Sequence, residues 1–128
     1  MANKDYHILV IDDNEDILFM IKTMLEMKGY LITAKENPEH IESVIELTKP
    51  DIILMDMLLS GSDGREICRN LKGNYSFAHI PIIMISALPD ADISCKDAGS
   101  DYFLGKPFEM NDLFQTISNA LSLVTSNK

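Results

Sequence analysis

Three runs of consecutive apolar residues divide the chain: Ile8–Ile11, Ile52–Met55 and Ile82–Ile85. None alternates with polar residues, so each predicts a strand covered on both faces, as in a parallel sheet. Two weaker runs, Leu31–Ala34 and Tyr102–Leu104, complete a set of five. Between them the apolar residues recur at helical spacing. Asn14 is placed to cap a helix carrying Ile17, Ile21, Met24 and Leu25, and Gly29 to end it. Asn37-Pro38 predicts a second start, with proline at the first helical position, followed by Ile41, Val44, Ile45 and Leu47 up to Lys49-Pro50. A third helix runs from Gly64 to Leu71 with Ile67 and Leu71 on one face. The last begins near Glu109. Its residues Met110, Leu113, Phe114, Ile117, Ala120, Leu121 and Val124 cover an arc of about 120°, enough for one docking face.

Strand and helix alternate throughout. That order predicts an α/β domain, a doubly wound five-stranded parallel sheet with right-handed crossovers and helices on both faces. In such a sheet the functional crevice lies at the carboxyl ends of the strands.

Composition narrows the function. At 128 residues the chain is sized for one domain, with no internal repeat or linker. Asp and Glu number 20 against 11 Lys and Arg, a net charge of −9. That sign opposes direct nucleic acid binding and anionic membrane surfaces. The two cysteines, Cys68 and Cys95, form no CxxC motif and suit a reducing, cytoplasmic setting. No apolar stretch is long enough to span a bilayer, and the acidic N-terminal region is no signal peptide.

The strand ends carry the candidate chemistry. Asp12-Asp13 follow the first strand, Asp56 the third and Ser86 the fourth, while the fifth leads into Lys106-Pro107. Taken singly each has an ordinary explanation: a helix cap, a turn, a surface hydroxyl, a solvated ammonium. Jointly they bring three carboxylates, one hydroxyl and one ammonium to a single rim. Clustered carboxylates repel unless one is protonated or a cation shares the site. Oxygen ligands in a small cluster suit Mg²⁺, and a lysine beside them suits a phosphoryl group. His7, His40 and His79 are scattered and point to no catalytic role, and the eight methionines read as core filler.

The segments Ile8-Leu9-Val10-Ile11-Asp12-Asp13-Asn14, Pro50–Met57, Gly61-Ser62-Asp63-Gly64, Ile80–Ala87 and Ala98–Phe108 together resemble the response-regulator receiver domains of two-component signalling. The resemblance covers residues 5–124, with short tails at 1–4 and 125–128. It implies a flavodoxin-like sheet of order 2-1-3-4-5 and a phosphoacceptor module rather than an enzyme. By that resemblance Asp56 accepts a phosphoryl group from a histidine kinase or phosphotransfer protein. Asp13 binds Mg²⁺, Asp12 holds the metal or its waters, and the Leu58 backbone carbonyl completes the protein ligands. Ser86 and Lys106 contact phosphoryl oxygens, and Ser86 and Phe103 form the switch. The downstream protein partner stays unnamed, and a weak homodimer is compatible with the reading.

Against that pattern the chain departs at several positions. Ser60 stands where the family usually has proline, which predicts a looser loop after Asp56. Phe103 lacks a tyrosine hydroxyl, so a switch there runs on packing. The segment from Ser86 to Lys106 is about two residues short and contains Pro89, Asp90, Asp92 and Ser94, so the fourth helix is expected to be short or irregular. Leu18, beside the acidic pair, is a candidate contact for the phosphodonor. Leu58 and Leu88 occupy the two positions that flank the path of a hydrolytic water; in fast-decaying relatives these are polar, so a persistent phosphorylated state is expected. The Lys106–Pro107 bond is expected to be cis, since proline alone makes cis cheap.

Three other readings compete. An aspartyl phosphohydrolase would need Asp-x-Asp after the first strand, where this chain has Asn14. A flavodoxin-like cofactor binder would need a phosphate loop there. A receiver that signals by binding alone would not need the full acidic, hydroxyl and lysine set.

Overall fold

The computed structural model describes residues 6–126. In chain order the elements are β1 His7–Ile11, α1 Glu15–Met27, β2 Leu31–Lys35, α2 Ile41–Thr48, β3 Ile52–Asp56, β4 Leu58–Leu59, β5 Ser62–Asp63, α3 Gly64–Lys72, β6 Ile82–Ser86, α4 Ala91–Asp97, β7 Tyr102–Gly105 and α5 Met110–Ser126. Five strands form one parallel sheet in the order β2-β1-β3-β6-β7. With the two-residue strands β4 and β5 set aside as a separate hairpin, this is the expected 2-1-3-4-5.

Why the central strands are apolar without alternation is plain from their surroundings. Leu9, Ile11, Ile53, Met55, Ile82 and Met84 face Ile45 of α2, Cys68 and Leu71 of α3, and Cys95 of α4. The intervening residues Ile8, Val10, Ile52, Leu54, Ile83 and Ile85 face Leu18, Ile21 and Leu25 of α1, and Leu113 and Ile117 of α5. Each of these strand residues is at most 1% exposed, and burying an Ile or Leu side chain contributes about 1.5–3 kcal/mol. The two cysteines are free and buried, and burial pushes the Cys68 thiol up to about 11, which keeps it protonated and unreactive.

The helix ends follow the predicted signals in part. Asn14 caps α1, its side-chain oxygen accepting from the N–H groups of Asp16 and Ile17, both at 3.0 Å. Gly29 takes a φ of 96° just beyond the helix. Asn37-Pro38 does not open α2. Asn37 accepts from the Glu39 N–H and Pro38 from the Ile41 N–H, so the pair makes a turn, and the helix starts at Ile41 behind His40 in the left-handed region. The fourth helix is seven residues long, as its poor helix formers predict. The last helix runs to Ser126, two residues into the expected polar tail. The tail at 1–4 and residues 127–128 lie outside the described residues. The Lys106–Pro107 peptide bond is cis. No helix among the described residues is long and apolar enough to cross a membrane.

Gly64 fixes how α3 approaches the end of β3. Its N–H donates to the Met57 carbonyl at 2.6 Å. A Cβ at this position would lie 2.6 Å from the Asp56 carbonyl oxygen, 2.9 Å from Met84 Cε and 3.0 Å from the Met57 carbonyl oxygen. Two of those neighbours are backbone, so relief requires α3 or β3 to move. Gly64→Ala is expected to destabilise the fold by about 1–3 kcal/mol, read as a lower urea midpoint at unchanged slope.

Candidate functional site

The reversal of strand order falls between β1 and β3, and the polar groups gather at their carboxyl ends. Asp12 and Asp13 follow β1, Asp56 is the last residue of β3, Ser86 the last of β6, and Lys106 follows β7. Register sets the neighbours: Asp56 pairs with Ile85, one residue before Ser86, and Ser86 pairs with Gly105, one residue before Lys106. Backbone bonds lock these ends together, from the Met57 N–H to the Ile85 carbonyl at 2.8 Å and from the Lys106 N–H to the Ser86 carbonyl at 2.9 Å.

Asp12, Asp13 and Asp56 each offer a carboxylate oxygen within 4.8 Å of the others. Asp12 and Asp56 are buried, and Asp13 is partly exposed at the rim. Among the described residues one cation answers them: Lys106 Nζ lies 3.2 Å from Asp56 Oδ1 and 3.4 Å from Asp12 Oδ2. The other Asp12 oxygen accepts the Asn14 N–H at 2.9 Å. Burial raises the Asp56 carboxyl above the ordinary carboxylate range, and the charges of Asp12 and Asp13 push it the same way against the pull of Lys106. Hard oxygen donors from three strand-end carboxylates fit a divalent cation such as Mg²⁺.

Ser86 is buried, and its Oγ accepts the Leu88 N–H at 3.0 Å. Among the described residues no acceptor holds its hydroxyl proton. Phe103 is half-buried against the α3–α4 side of the sheet. Leu58 and Leu88 are each about half exposed, at 50% and 48%.

Two expectations are corrected. Leu18 is 8% exposed and packs into the core, so it is no surface contact; its neighbour Phe19 is exposed at 72%. The loop after Asp56 is not loose. Leu58 and Leu59 pair with Ser62 and Asp63, and Ser60 donates from both its N–H and its Oγ to Asp13 Oδ2, at 2.9 and 2.8 Å. Proline at this position has neither donor, so the departure itself was the available signal. The histidines stand apart from the carboxylates: His7 hydrogen-bonds Thr33 and the Thr48 carbonyl, and His40 and His79 lie in turns. Beside the site, Arg65 grips Asp63 through two nitrogens, at 3.0 and 2.7 Å, and holds its carboxyl below the ordinary range. The same guanidinium reaches Ser94 Oγ at 3.2 Å, tying α3 to α4.

This fold and rim define a class of signalling domain. The chain belongs to the response regulator receiver domain family, whose model matches residues 8–118. It is 38% identical over 116 residues to the phosphate regulon transcriptional regulatory protein PhoB of Pseudomonas aeruginosa, covering 89% of this chain and 51% of that one. The chain thus spans about half the length of that relative. A crystal structure described as a putative response regulator from Chloroflexus aurantiacus superposes with a TM-score of 0.86 at 29% identity, covering 91% of this chain and 98% of that one. The receiver domain of sensor histidine kinase PA1611 from Pseudomonas aeruginosa gives 0.82 at 28% identity, covering 91% and 98%, and its structure holds a magnesium ion in the active site cleft.

The electrostatics give a pH-dependent expectation. With its carboxyl raised, native Asp56 holds a proton more tightly than the unfolded chain does. Stability therefore falls as pH rises from the ordinary carboxylate range through the raised value. Asp56→Asn is expected to raise the melting temperature at pH 7 in Mg²⁺-free buffer, by about 3–5 °C per kcal/mol relieved. The gain is expected to shrink as the pH is lowered below the ordinary carboxylate range. Paired melting curves from pH 3 to 8 check this.

Proposed function

We propose that this chain is a phosphoacceptor that takes a phosphoryl group onto Asp56 from the phosphohistidine of a histidine kinase or phosphotransfer protein. The observation that carries the reading is the contact of Lys106 Nζ, beyond β7, with both Asp56 and Asp12, inside a cluster of three carboxylates at the ends of β1 and β3. In the transfer an Asp56 carboxylate oxygen attacks phosphorus, the P–N bond to the donor imidazole breaks, and the acyl phosphate remains on the chain. Asp12, Asp13, Asp56 and the Leu58 backbone carbonyl would hold Mg²⁺, which when bound supplies positive charge to the phosphoryl oxygens. Lys106 lies within reach to pair with a phosphoryl oxygen, and the Ser86 hydroxyl proton is available to another. Positioning and charge neutralisation are what this reaction asks of a protein. The chain is then a signalling partner that assists its own phosphorylation, working in the cytoplasm, rather than an enzyme.

Ser86 and Phe103 serve as the switch, with Phe103 repacking against the α3–α4 side when the Ser86 hydroxyl engages the phosphoryl group. The transcriptional role named for the PhoB relative belongs to a chain about twice as long, and for this protein a transcriptional output through an added segment is part of the proposal. Direct nucleic acid binding by this chain is disfavoured by its net charge of −9.

Incubation with acetyl phosphate and Mg²⁺ is expected to add the mass of one phosphoryl group to the intact protein. Asp56→Asn abolishes the addition, and Lys106→Ala slows it at least tenfold. Phosphorylation persisting in Asp56→Asn would sink the assignment.

Lifetime is a separate expectation. Leu58 and Leu88, both half exposed, offer a hydrolytic water no hydrogen bond. Positioning a reacting group contributes several kcal/mol, at about 1.4 kcal/mol per tenfold in rate. The double variant Leu58→Asn, Leu88→Glu is expected to lose its phosphoryl group more than tenfold faster than the native chain, measured as first-order decay of the phosphorylated protein. Equal rates would refute water exclusion.

A further inference from the structure

Ser60 makes a contact that the family resemblance does not supply. It sits with Gly61 in the two-residue turn between β4 and β5, where Gly61 takes a φ of 74°. From that turn its N–H and its hydroxyl both reach Asp13 Oδ2, at 2.9 and 2.8 Å. Both donors address one oxygen. Asp13 Oδ1 accepts no hydrogen bond among the described residues.

That asymmetry has a physical consequence. Asp13 stands at the open edge of a carboxylate cluster, so repulsion from Asp12 and Asp56 favours a rotamer turned out to solvent. Two hydrogen bonds to a charged oxygen oppose that rotation. They also join the β4–β5 hairpin, which carries the Leu58 carbonyl, to the acidic pair after β1. We propose that Ser60 is a positioning residue for the divalent-cation site: it holds Asp13 Oδ2 so that Oδ1 is presented to the ion, and by the same contact sets the hairpin against the acidic pair. This inference rests on the cation-site reading above. The opposite relation, in which Ser60 competes with the ion for Asp13, predicts the opposite sign.

The test is calorimetric titration with Mg²⁺ at constant ionic strength, on the native chain and on Ser60→Ala, Ser60→Thr, Ser60→Pro and Asp13→Asn. Ser60→Ala removes one donor, Ser60→Pro removes both, and Ser60→Thr keeps both. Loss of a hydrogen-bond partner to a metal ligand typically costs about 10–100-fold in metal affinity. Ser60→Pro is expected to weaken Mg²⁺ binding about tenfold or more, Ser60→Ala several-fold, and Ser60→Thr less than twofold. Melting curves in Mg²⁺-free buffer report folding, and if Ser60→Pro does not fold, Ser60→Ala against Ser60→Thr decides. Native-like or tighter affinity in Ser60→Ala overturns the proposal, the tighter case assigning Ser60 as a competitor. If the native chain binds Mg²⁺ and Asp13→Asn does not, while the serine variants match the native chain, only the positioning role falls. If neither the native chain nor Asp13→Asn takes up Mg²⁺, the cation site itself is wrong, and the positioning role with it.

Discussion

Three like charges confined at the edge of an apolar sheet are the constraint on which this molecule is built. Left alone, Asp12, Asp13 and Asp56 would separate, and two of them are buried where water cannot screen them. The chain answers each carboxylate from a different direction: Lys106 from beyond β7, the Asn14 N–H from the start of α1, and Ser60 from the β4–β5 hairpin. Asn14 is two residues from Asp12, whereas Lys106 and Ser60 are distant along the chain from the carboxylates they meet. The sheet, with its register fixed by two buried faces, is what brings them together. Burial raises the Asp56 carboxyl above the ordinary range in spite of the pull of Lys106. Stability given up at one buried group in this way is common at functional sites.

Much of this was legible along the chain because the strands are buried on both sides. A half-exposed strand alternates and competes with other readings, whereas Ile52–Met55 and Ile82–Ile85 are uninterrupted and admit few. The strand-end polar residues then stand out against an apolar background, which is why the sequence assigns Asp56, Ser86 and Lys106 to one rim. Asn14 was readable for a similar reason, since its capping bonds are made to residues two and three positions ahead.

What escaped the sequence depended on contacts distant along the chain or on competing local turns. Asn37 and Pro38 have the chemistry of a helix start, yet a turn satisfies the same groups and delays α2 to Ile41. Leu18 lies at the edge of its helix stripe, where a small rotation decides between core and solvent; here it packs into the apolar cluster on the α1 and α5 face of the sheet and is buried. Ser60 gave a departure from a family pattern without saying where its donors go. Only the fold puts Asp13 within 3 Å of it.

Phe103 and Leu104 are adjacent on β7, yet they belong to different cores, the first on the side of α3 and α4, the second on the side of α1 and α5. The sheet is therefore a partition. A side-chain rearrangement at position 103 can remodel the surface built on one side while the packing on the other keeps its shape. The two walls of so thin a domain can be repacked separately, and each is free to diversify without retuning the other.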